Sequence, residues 1–251
     1  YWLRTAFPNQ PLGRLIIGKK DIIKSIEREK IVNFMKENYH PSKMVVSAAG
    51  KINHEEFVDQ IANVMTNLPN GHVKDRVKAN YQGGEYREEK DLEQVHLVLG
   101  FKGLDYHDSD YEALRVYAAI MGAGGSSRLF QEIREKRGLV YHIHADLDSF
   151  ADAGTFQVVA GTGQNEIKEL LPVLCHELVS SPKNLTEEEI EKSKAQLKAS
   201  TLMSTESTTT NATTSAYQLI RYDKLIEIEE RIKKINNVSK ESIEKVAQKI
   251  L

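Results

Sequence analysis

Eight histidines and one cysteine raise the question of metal chemistry first. A zincin needs H-E-x-x-H, which sets two imidazoles on one helix face with the Glu as base. An inverzincin needs H-x-x-E-H, the same geometry with the base moved. Neither string occurs. His54-Glu55-Glu56-Phe57-Val58 has no second His and reads as an exposed helix start. His142 and His144 are two residues apart, so a strand aims both to one face. With no third ligand nearby, they read as structural. His176 follows Cys175, and neighbours on a helix point about 100° apart, which suits joint ligation poorly. Cys175 reads as a small core residue. A serine nucleophile would want G-x-S-x-G between strand and helix. Gly124-Gly125-Ser126-Ser127-Arg128 lacks that pattern. It predicts a tight helix–helix corner with Ser126 or Ser127 as cap, at a helix start that could also hold an anion.

The densest unusual segment is Ser126 to Tyr141, SSRLFQEIREKRGLVY. Arg128, Arg134, Arg137 and Lys136 crowd a short predicted helix that ends at Gly138, just before Tyr141. Basic residues near a helix C-terminus suit the helix macrodipole, so a structural account of them exists alongside a functional one.

These groups sit in a chain of 251 residues with 40% apolar and 28% charged residues. That length suits one large domain or two ordinary ones, and that balance argues against disorder. The net charge of -2 gives no global basic field to draw in nucleic acid, so no nucleic-acid partner is expected. No stretch approaches the roughly 18 uninterrupted apolar residues of a membrane span, so no membrane partner is expected either. Cys175 alone excludes an intrachain disulfide and a multi-cysteine metal site. Tyr1-Trp2-Leu3-Arg4 lacks a signal-peptide pattern and a starting Met. The expectations are a cytoplasmic location and a piece of something longer.

The elements follow from periodicity. Residues 7–18 read as loop, and a helix is predicted over 22–39 with Ile22, Ile26, Ile31, Phe34 and Met35 on one face. Met44 to Gly50 predicts a short buried strand. Asn53 with Glu56 is a capping-box signature opening a helix that ends at Pro69. Pro69-Asn70-Gly71, Lys74-Asp75-Arg76 and Gly83-Gly84 make the best linker, 69–83. Beyond it, 94–101 predicts a strand, Asp110 caps a helix, and 140–150 with 154–161 predict a hairpin. From Asn165 a helix carries Ile167, Leu170, Leu171, Leu174 and Leu178 as its stripe, with Pro172 expected to kink it or shift its start. Thr186 and Glu189 form a second capping box. The Ser/Thr-rich stretch 200–215 predicts helix, or helix with a break, and the last forty residues are helical. The fold class is α+β, helices packed on mixed, mainly antiparallel sheets.

Several ordered pieces together resemble one family. Met121 to Tyr141, MGAGGSSRLFQEIREKRGLVY, is similar to the second-half signature of the pitrilysin/insulinase zinc peptidases, in the branch similar to mitochondrial processing peptidase. The other pieces are Ala6 to Arg14 with Ile17-Gly18, Tyr39-His40-Pro41 with Met44 to Gly50, and Gly83-Gly84-Glu85 with Arg87. His96 to Phe101 with Gly103, Gly154-Thr155-Phe156 and Gly161-Thr162-Gly163 complete the set.

The resemblance implies two homologous α+β domains around a peptide chamber, with zinc held in the first by H-x-x-E-H plus a downstream Glu. Those ligands lie upstream of the Phe7–Gly13 loop in such proteins. This chain is therefore expected to hold the C-terminal part of the first domain (1–68), the linker (69–83) and a second domain of the inactive-half type (84–251). Zinc is expected in the parent enzyme and none at a site in this chain, so the chain alone is expected inactive. Metal would polarise the scissile carbonyl and activate water, with a Glu as base. The resemblance also implies that Arg134 and Tyr141, seven residues apart, reach the bound peptide and stabilise a carbonyl oxygen as it becomes an oxyanion. The expected partners are a peptide substrate and the missing first-domain segment or a partner subunit, with a homo-oligomer as a further possibility. The chain reads as the substrate-binding half of a zinc metallopeptidase acting on unfolded peptides. The alternative is a non-catalytic peptide-binding or assembly subunit of a processing-peptidase-like complex. An H-x-x-E-H string in the reading frame upstream of Tyr1 would decide for the first; a true start nearby without it would decide for the second. Limited proteolysis is expected to cut within 69–82 and leave 84–251 intact. Preferential survival of 1–68 would contradict that boundary.

Overall fold

The computed structural model describes residues 1–69, 71 and 77–251. Of the expected linker 69–83, residues 70 and 72–76 lie outside the described residues. The helices and strands in chain order are α1 (Trp2–Ala6), α2 (Lys20–Ser25), α3 (Arg28–Asn38), α4 (His54–Val64), β1 (Val95–Lys102) and α5 (Tyr111–Gly122). After a π-helix (Phe130–Glu135) come β2 (His142–Ser149), β3 (Gly154–Thr162), α6 (Ile167–Asn184) and α7 (Glu187–Ser204). Then follow α8 (Thr208–Tyr222), α9 (Ile228–Asn236) and α10 (Lys240–Ile250). The architecture is α+β, and no helix among the described residues is long and apolar enough to cross a membrane.

The described residues divide into two compact units that interleave along the chain. One comprises Tyr1–Arg14, Lys78–Ser200 and Ile228–Leu251. It is built on an antiparallel sheet in the order β1-β3-β2. The register sets Phe101 and Leu147 on either side of Phe156, and Leu99 and Ala145 on either side of Val158. Side chains alternate across a strand, so these residues share one apolar face with Leu97, Ile143 and Ala160. That face packs into a core with α5, α6 and α10. Helix α5 is buried from Ala113 to Gly122 except at Arg115, the composition of a helix enclosed on nearly all sides. It passes so close to β2 that a Cβ on Gly122 would meet the Ala145 backbone nitrogen at 1.9 Å, so only glycine fits there.

Two buried hydroxyls of this core pair with each other, whereas the buried Thr155 hydroxyl has no partner among the described residues. The Ser181 hydroxyl donates to the Leu178 carbonyl at 2.8 Å, which leaves its oxygen to accept from the Tyr117 hydroxyl at 2.8 Å. Burial pushes the Tyr117 phenol up to about 12, against the Ser181 hydrogen bond and the Arg128 charge, which act the other way. The amino-terminal stretch is tied into the same unit. The Gln82 N–H donates to the Ala6 carbonyl, and the Gln10 carboxamide exchanges two 2.7 Å hydrogen bonds with the Asn80 backbone.

Most predicted elements form where the pattern puts them, including all three strands of this unit. In α6 the buried stripe is Leu170, Leu174 and Leu178, while Leu171 is exposed. Cys175, expected in the core, is exposed on the same outer row as Leu171 and Val179. Positions four apart share a helix face, and this row faces away from the sheet. Pro172 and Pro182 both lie inside the helix, which runs on through them.

The other unit comprises Leu15–Val77 and Thr201–Glu227. The single helix predicted over 22–39 is two, α2 and α3, separated by Ile26 in extended conformation. The Ser25 hydroxyl donates back to the Asp21 carbonyl at 2.8 Å, a local bond that competes with continuing the ladder. The strand predicted at Met44–Gly50 forms no ladder among the described residues, and Val46 is exposed. A strand needs a neighbour to take its N–H and C=O groups, and no described segment pairs with it. Asn53 caps α4 as expected, its side chain accepting the Glu56 N–H. The Ser/Thr-rich stretch is helix with a break: α7 ends at Ser204, and Ser207 caps α8 by accepting the Thr210 N–H.

Leu174→Ala is expected to lower unfolding free energy by about 2–5 kcal/mol, because it opens a cavity between α6 and the sheet. Leu171→Ala should change it by no more than about 0.5 kcal/mol. Urea unfolding of the two variants checks the assignment of the stripe.

Candidate functional site

The corner between α5 and β2 carries the residues singled out from the sequence. Helix α5 stops at Gly122, and Gly124 takes a left-handed φ of 81°. The Ser127 hydroxyl donates back to the Gly124 carbonyl at 2.8 Å, while the Ser127 carbonyl accepts the Gln131 N–H at 3.0 Å. The corner is therefore tied at both sides of Ser127, as predicted, although its hydroxyl bonds backwards instead of capping the next turn. Leu129 and Ile133 are fully buried and anchor the turn in the core. The expected α-helix is a π-helix over Phe130–Glu135, with the Lys136 N–H reaching the Gln131 carbonyl five residues back. Such wide turns are rare and occur often at functional sites. Gly138, at a φ of 65°, lets the chain reverse, and the Tyr141 N–H then joins the sheet through the Gly161 carbonyl at 2.8 Å.

The four basic side chains of this segment separate into distinct roles. Arg128 points inward, its side chain 10% exposed. Its Nε and Nη2 both donate at 2.7 Å to the two oxygens of Glu189, a fork-to-fork pair. Its Nη1 and Nη2 also donate to the side-chain and backbone oxygens of Asn184. Glu189 in turn completes the predicted capping box with Thr186, whose N–H and hydroxyl both donate to it. Burial alone would raise the Glu189 carboxyl, but the Arg128 and Thr186 hydrogen bonds outweigh it and hold the group below the ordinary value of 4.5. Lys136 and Arg137 gather on Glu132 near the C-terminus of the turn, the arrangement a helix dipole favours.

Arg134 differs. Its guanidinium lies 4.6 Å over the Phe130 ring, its side chain is 41% exposed, and among the described residues its one ion-pair contact is a long 3.4 Å to Glu135. Tyr141 is 62% exposed. Both stand open to solvent in the same unit, Arg134 on the π-helix and Tyr141 immediately before β2, and no hydrogen bond joins them among the described residues. His142 and His144 do lie on one side of β2, ring centroids 6.1 Å apart, with His144 Nε2 3.2 Å from Asp146. His54 is exposed at the start of α4. No group of three or more His, Cys, Asp or Glu side chains among the described residues could hold a metal ion, so these residues do not fit a zinc site.

Sequence reading missed the Arg128–Glu189–Asn184 clamp. Its two halves were visible, an arginine-rich turn and a capping box, but 61 residues separate Arg128 from Glu189 and no periodicity links them. It also missed a cleft of about 540 Å3 beside that clamp, between the end of α5, the π-helix and the α6–α7 corner.

With this geometry in place, comparison with known proteins decides the family. A family model described as "Peptidase M16 inactive domain" matches residues 25–197. The chain belongs to the M16 peptidase family. It is 31% identical over 247 residues to a Rickettsia felis protein named "Uncharacterized zinc protease", covering 98% of this chain and 60% of that one. It is 28% identical over 261 residues to the "Probable mitochondrial-processing peptidase subunit beta, mitochondrial" of Arabidopsis thaliana, covering 98% and 49%. Among solved structures, a chain of Complex III2 from Candida albicans superposes with a TM-score of 0.87 at 18% identity. A protease from Helicobacter pylori superposes with a TM-score of 0.83 at 21% identity. Each structural match covers 99% of this chain and 62% of the other, and at these identities it speaks for the fold. This M16 chain thus spans about half to three fifths of the length of its curated relatives.

Arg128→Ala is expected to destabilise the domain by about 2–4 kcal/mol near neutral pH, slightly under the value for a fully buried pair because Glu189 keeps some exposure. The depressed Glu189 carboxyl contributes stability above its ordinary value, and loses it as pH falls through the lower folded-state value. The gap between wild type and variant should therefore close as pH is lowered from about 7 to about 3, read by urea unfolding at each pH. A gap independent of pH would show that the pair contributes through packing alone.

Proposed function

We infer that this chain is the substrate-binding half of a zinc metallopeptidase that hydrolyses peptide bonds in unfolded peptides, with the metal site outside it. The carrying observation is the contrast within one turn. Arg128, Lys136 and Arg137 are committed to Glu189 and Glu132, while Arg134 is left over the Phe130 ring with Tyr141 open nearby in the same unit. A guanidinium and a phenol left open to solvent can both donate to a substrate carbonyl, and such bonds strengthen as its oxygen gains charge. Stacking on Phe130 limits the rotamers of Arg134, so less freedom is lost when a peptide is bound. Match to a family described as inactive domain, and to relatives named zinc protease, supports the same division of labour.

On this reading residues 1–68 are the C-terminal part of a first peptidase-family domain, 69–83 the linker, and 84–251 the second domain, with the cytoplasm as the expected compartment. The partners are a peptide and either the rest of the first domain or a subunit that supplies it. Ile22, Ile26, Ile31, Phe34 and Met35, spread over α2, α3 and the break between them, are each between 46% and 59% exposed, apolar surface that calls for a cover. A second copy of the chain is the further candidate for that cover. The likeness to a chain of Complex III2 keeps one other reading, a non-catalytic binding or assembly subunit.

The test joins this chain to the length its relatives carry beyond it. The chain by itself should give no chelator-sensitive turnover of a quenched peptide library. In the longer protein, Arg134→Ala or Tyr141→Phe should lower turnover by about 10²–10³-fold, the usual loss for one oxyanion donor, with thermal unfolding unchanged. Full activity in both variants would remove the proposed role. Inactivity of an intact longer protein would favour the assembly subunit.

A further inference from the structure

The cleft beside the Arg128 clamp is lined by more acidic than basic side chains, Glu132, Glu177, Glu188 and Glu189 against Arg128 and Lys192. One N–H of each glutamine carboxamide in it already has a partner. The Gln131 carboxamide donates to the Gly125 carbonyl at 2.6 Å, and the Gln196 carboxamide donates to the Ala123 carbonyl at 3.2 Å. A backbone carbonyl can only accept, so these bonds fix the orientation of both amides and leave each with its carbonyl oxygen and one further N–H. Glu177 and Glu188 also line the cleft, and neither carboxylate has a hydrogen-bond partner among the described residues. Ser193 adds an independent sign. It is 6% exposed, lines the cleft from α7, and its hydroxyl has no hydrogen-bond partner among the described residues. Its oxygen is not sealed from solvent, so the cleft is where it can take a partner.

We propose that this cleft binds an organic cation bearing several N–H donors, a guanidinium or alkylammonium group. Glu177 and Glu188 supply the opposing charge, and the oxygens of Gln131, Gln196 and Ser193 accept the N–H groups. A volume of about 540 Å3 falls within the range of small-ligand sites. The small residues Ala119 and Ala123 at its wall leave room for a methylene chain. Two cations within the lining argue the other way: Arg128, whose hydrogen bonds go to Glu189 and Asn184, and the exposed Lys192, which provides the sharpest test. A site for cations should bind more tightly without it, whereas a site for anions should bind less tightly. Gln131 belongs to the π-helix that carries Arg134, so an occupant would bear on that turn. The proposal holds whether or not the chain serves a peptidase.

The experiment uses the whole 251-residue chain, labelled with 15N, at low ionic strength. The probes are spermidine and the capped dipeptide amide of arginine, with the capped dipeptide amide of glutamine as control. Saturable shifts are expected at the Gln131 and Gln196 side-chain amides and at the Ser193 backbone N–H. Glu177→Gln and Glu188→Gln should each weaken binding about tenfold, the size expected for one hydrogen bond to a charged group, and Lys192→Gln should tighten it. Glu188 is exposed, so its variant keeps the test open if Glu177→Gln fails to fold. Binding of spermidine alone would identify a free polyamine. Binding of the arginine peptide alone would identify a peptide side chain, and binding of both the shared chemistry. No saturable shift with either probe overturns the proposal. So does binding that Glu188→Gln leaves unchanged, or that Lys192→Gln weakens.

Discussion

Phe156 is the point at which the larger unit holds together. It is fully buried in the central strand, its ring 6.2 Å from Phe101 across the sheet and 5.5 Å from Tyr117 on α5. Tyr117 carries the contact on to α6 through Ser181. Sheet, first covering helix and second covering helix are thus referred to one side chain, and tilted aromatic contacts of this kind add to what burial alone contributes. Three strands are a small sheet, and such a sheet is stable only when its apolar face is sealed by helices. The close approach that Gly122 permits is part of that seal, because it brings the end of α5 down onto β2. The direction in which the chain leaves α5, and so the position of everything from Ser126 to Tyr141, follows from it.

Arg128 then divides that corner into an inside and an outside. Its bidentate pairing with Glu189 and its bonds to Asn184 tie the turn to the junction of α6 and α7. Removing one member would strand the other in a partly dry setting, which makes the pair a strong constraint on geometry even where its net contribution to stability is modest. With Arg128 held inward, the wide turn presents Arg134 on its other side, propped by Phe130. A segment rich in positive charge is resolved into one clamp, one helix-end cluster and one guanidinium set over an aromatic ring.

The legible parts of this structure are those written in local pattern. Alternation along 95–102, 142–149 and 154–162 specifies the strands, and spacing of Leu170, Leu174 and Leu178 specifies a helix face. Thr186 with Glu189 is readable as a cap because both partners lie within one turn. What was not legible depends on who sits opposite. Met44–Gly50 has the composition of a strand, but pairing decides whether such a run becomes one. Cys175 has the habits of a core residue, yet its place on the helix sends it outward. The same limit applies at the site. Arg134 and Tyr141 stand out through a family's motif and their exposure through the fold, while the Arg128 clamp and the cleft beside it arise from residues scattered over four helices and the corner after α5.

The larger unit is assembled from three separated stretches of chain, and this has a consequence for the order of events during synthesis. Tyr1–Arg14 emerges well before its partners Asn80 and Gln82, which follow more than sixty residues later. The sheet and α5 come next, yet Ile243, Val246, Ala247 and Ile250 of the last helix complete their core. Until α10 has left the ribosome, the apolar side of α5 and α6 has no final cover. Closing such long loops is entropically mild, since the cost grows only with the logarithm of length, but it is slow, because non-local contacts must be found before they stabilise anything. The nascent chain therefore passes through an extended interval with its hydrophobic surface open, the interval in which chaperone binding and misassembly compete with folding.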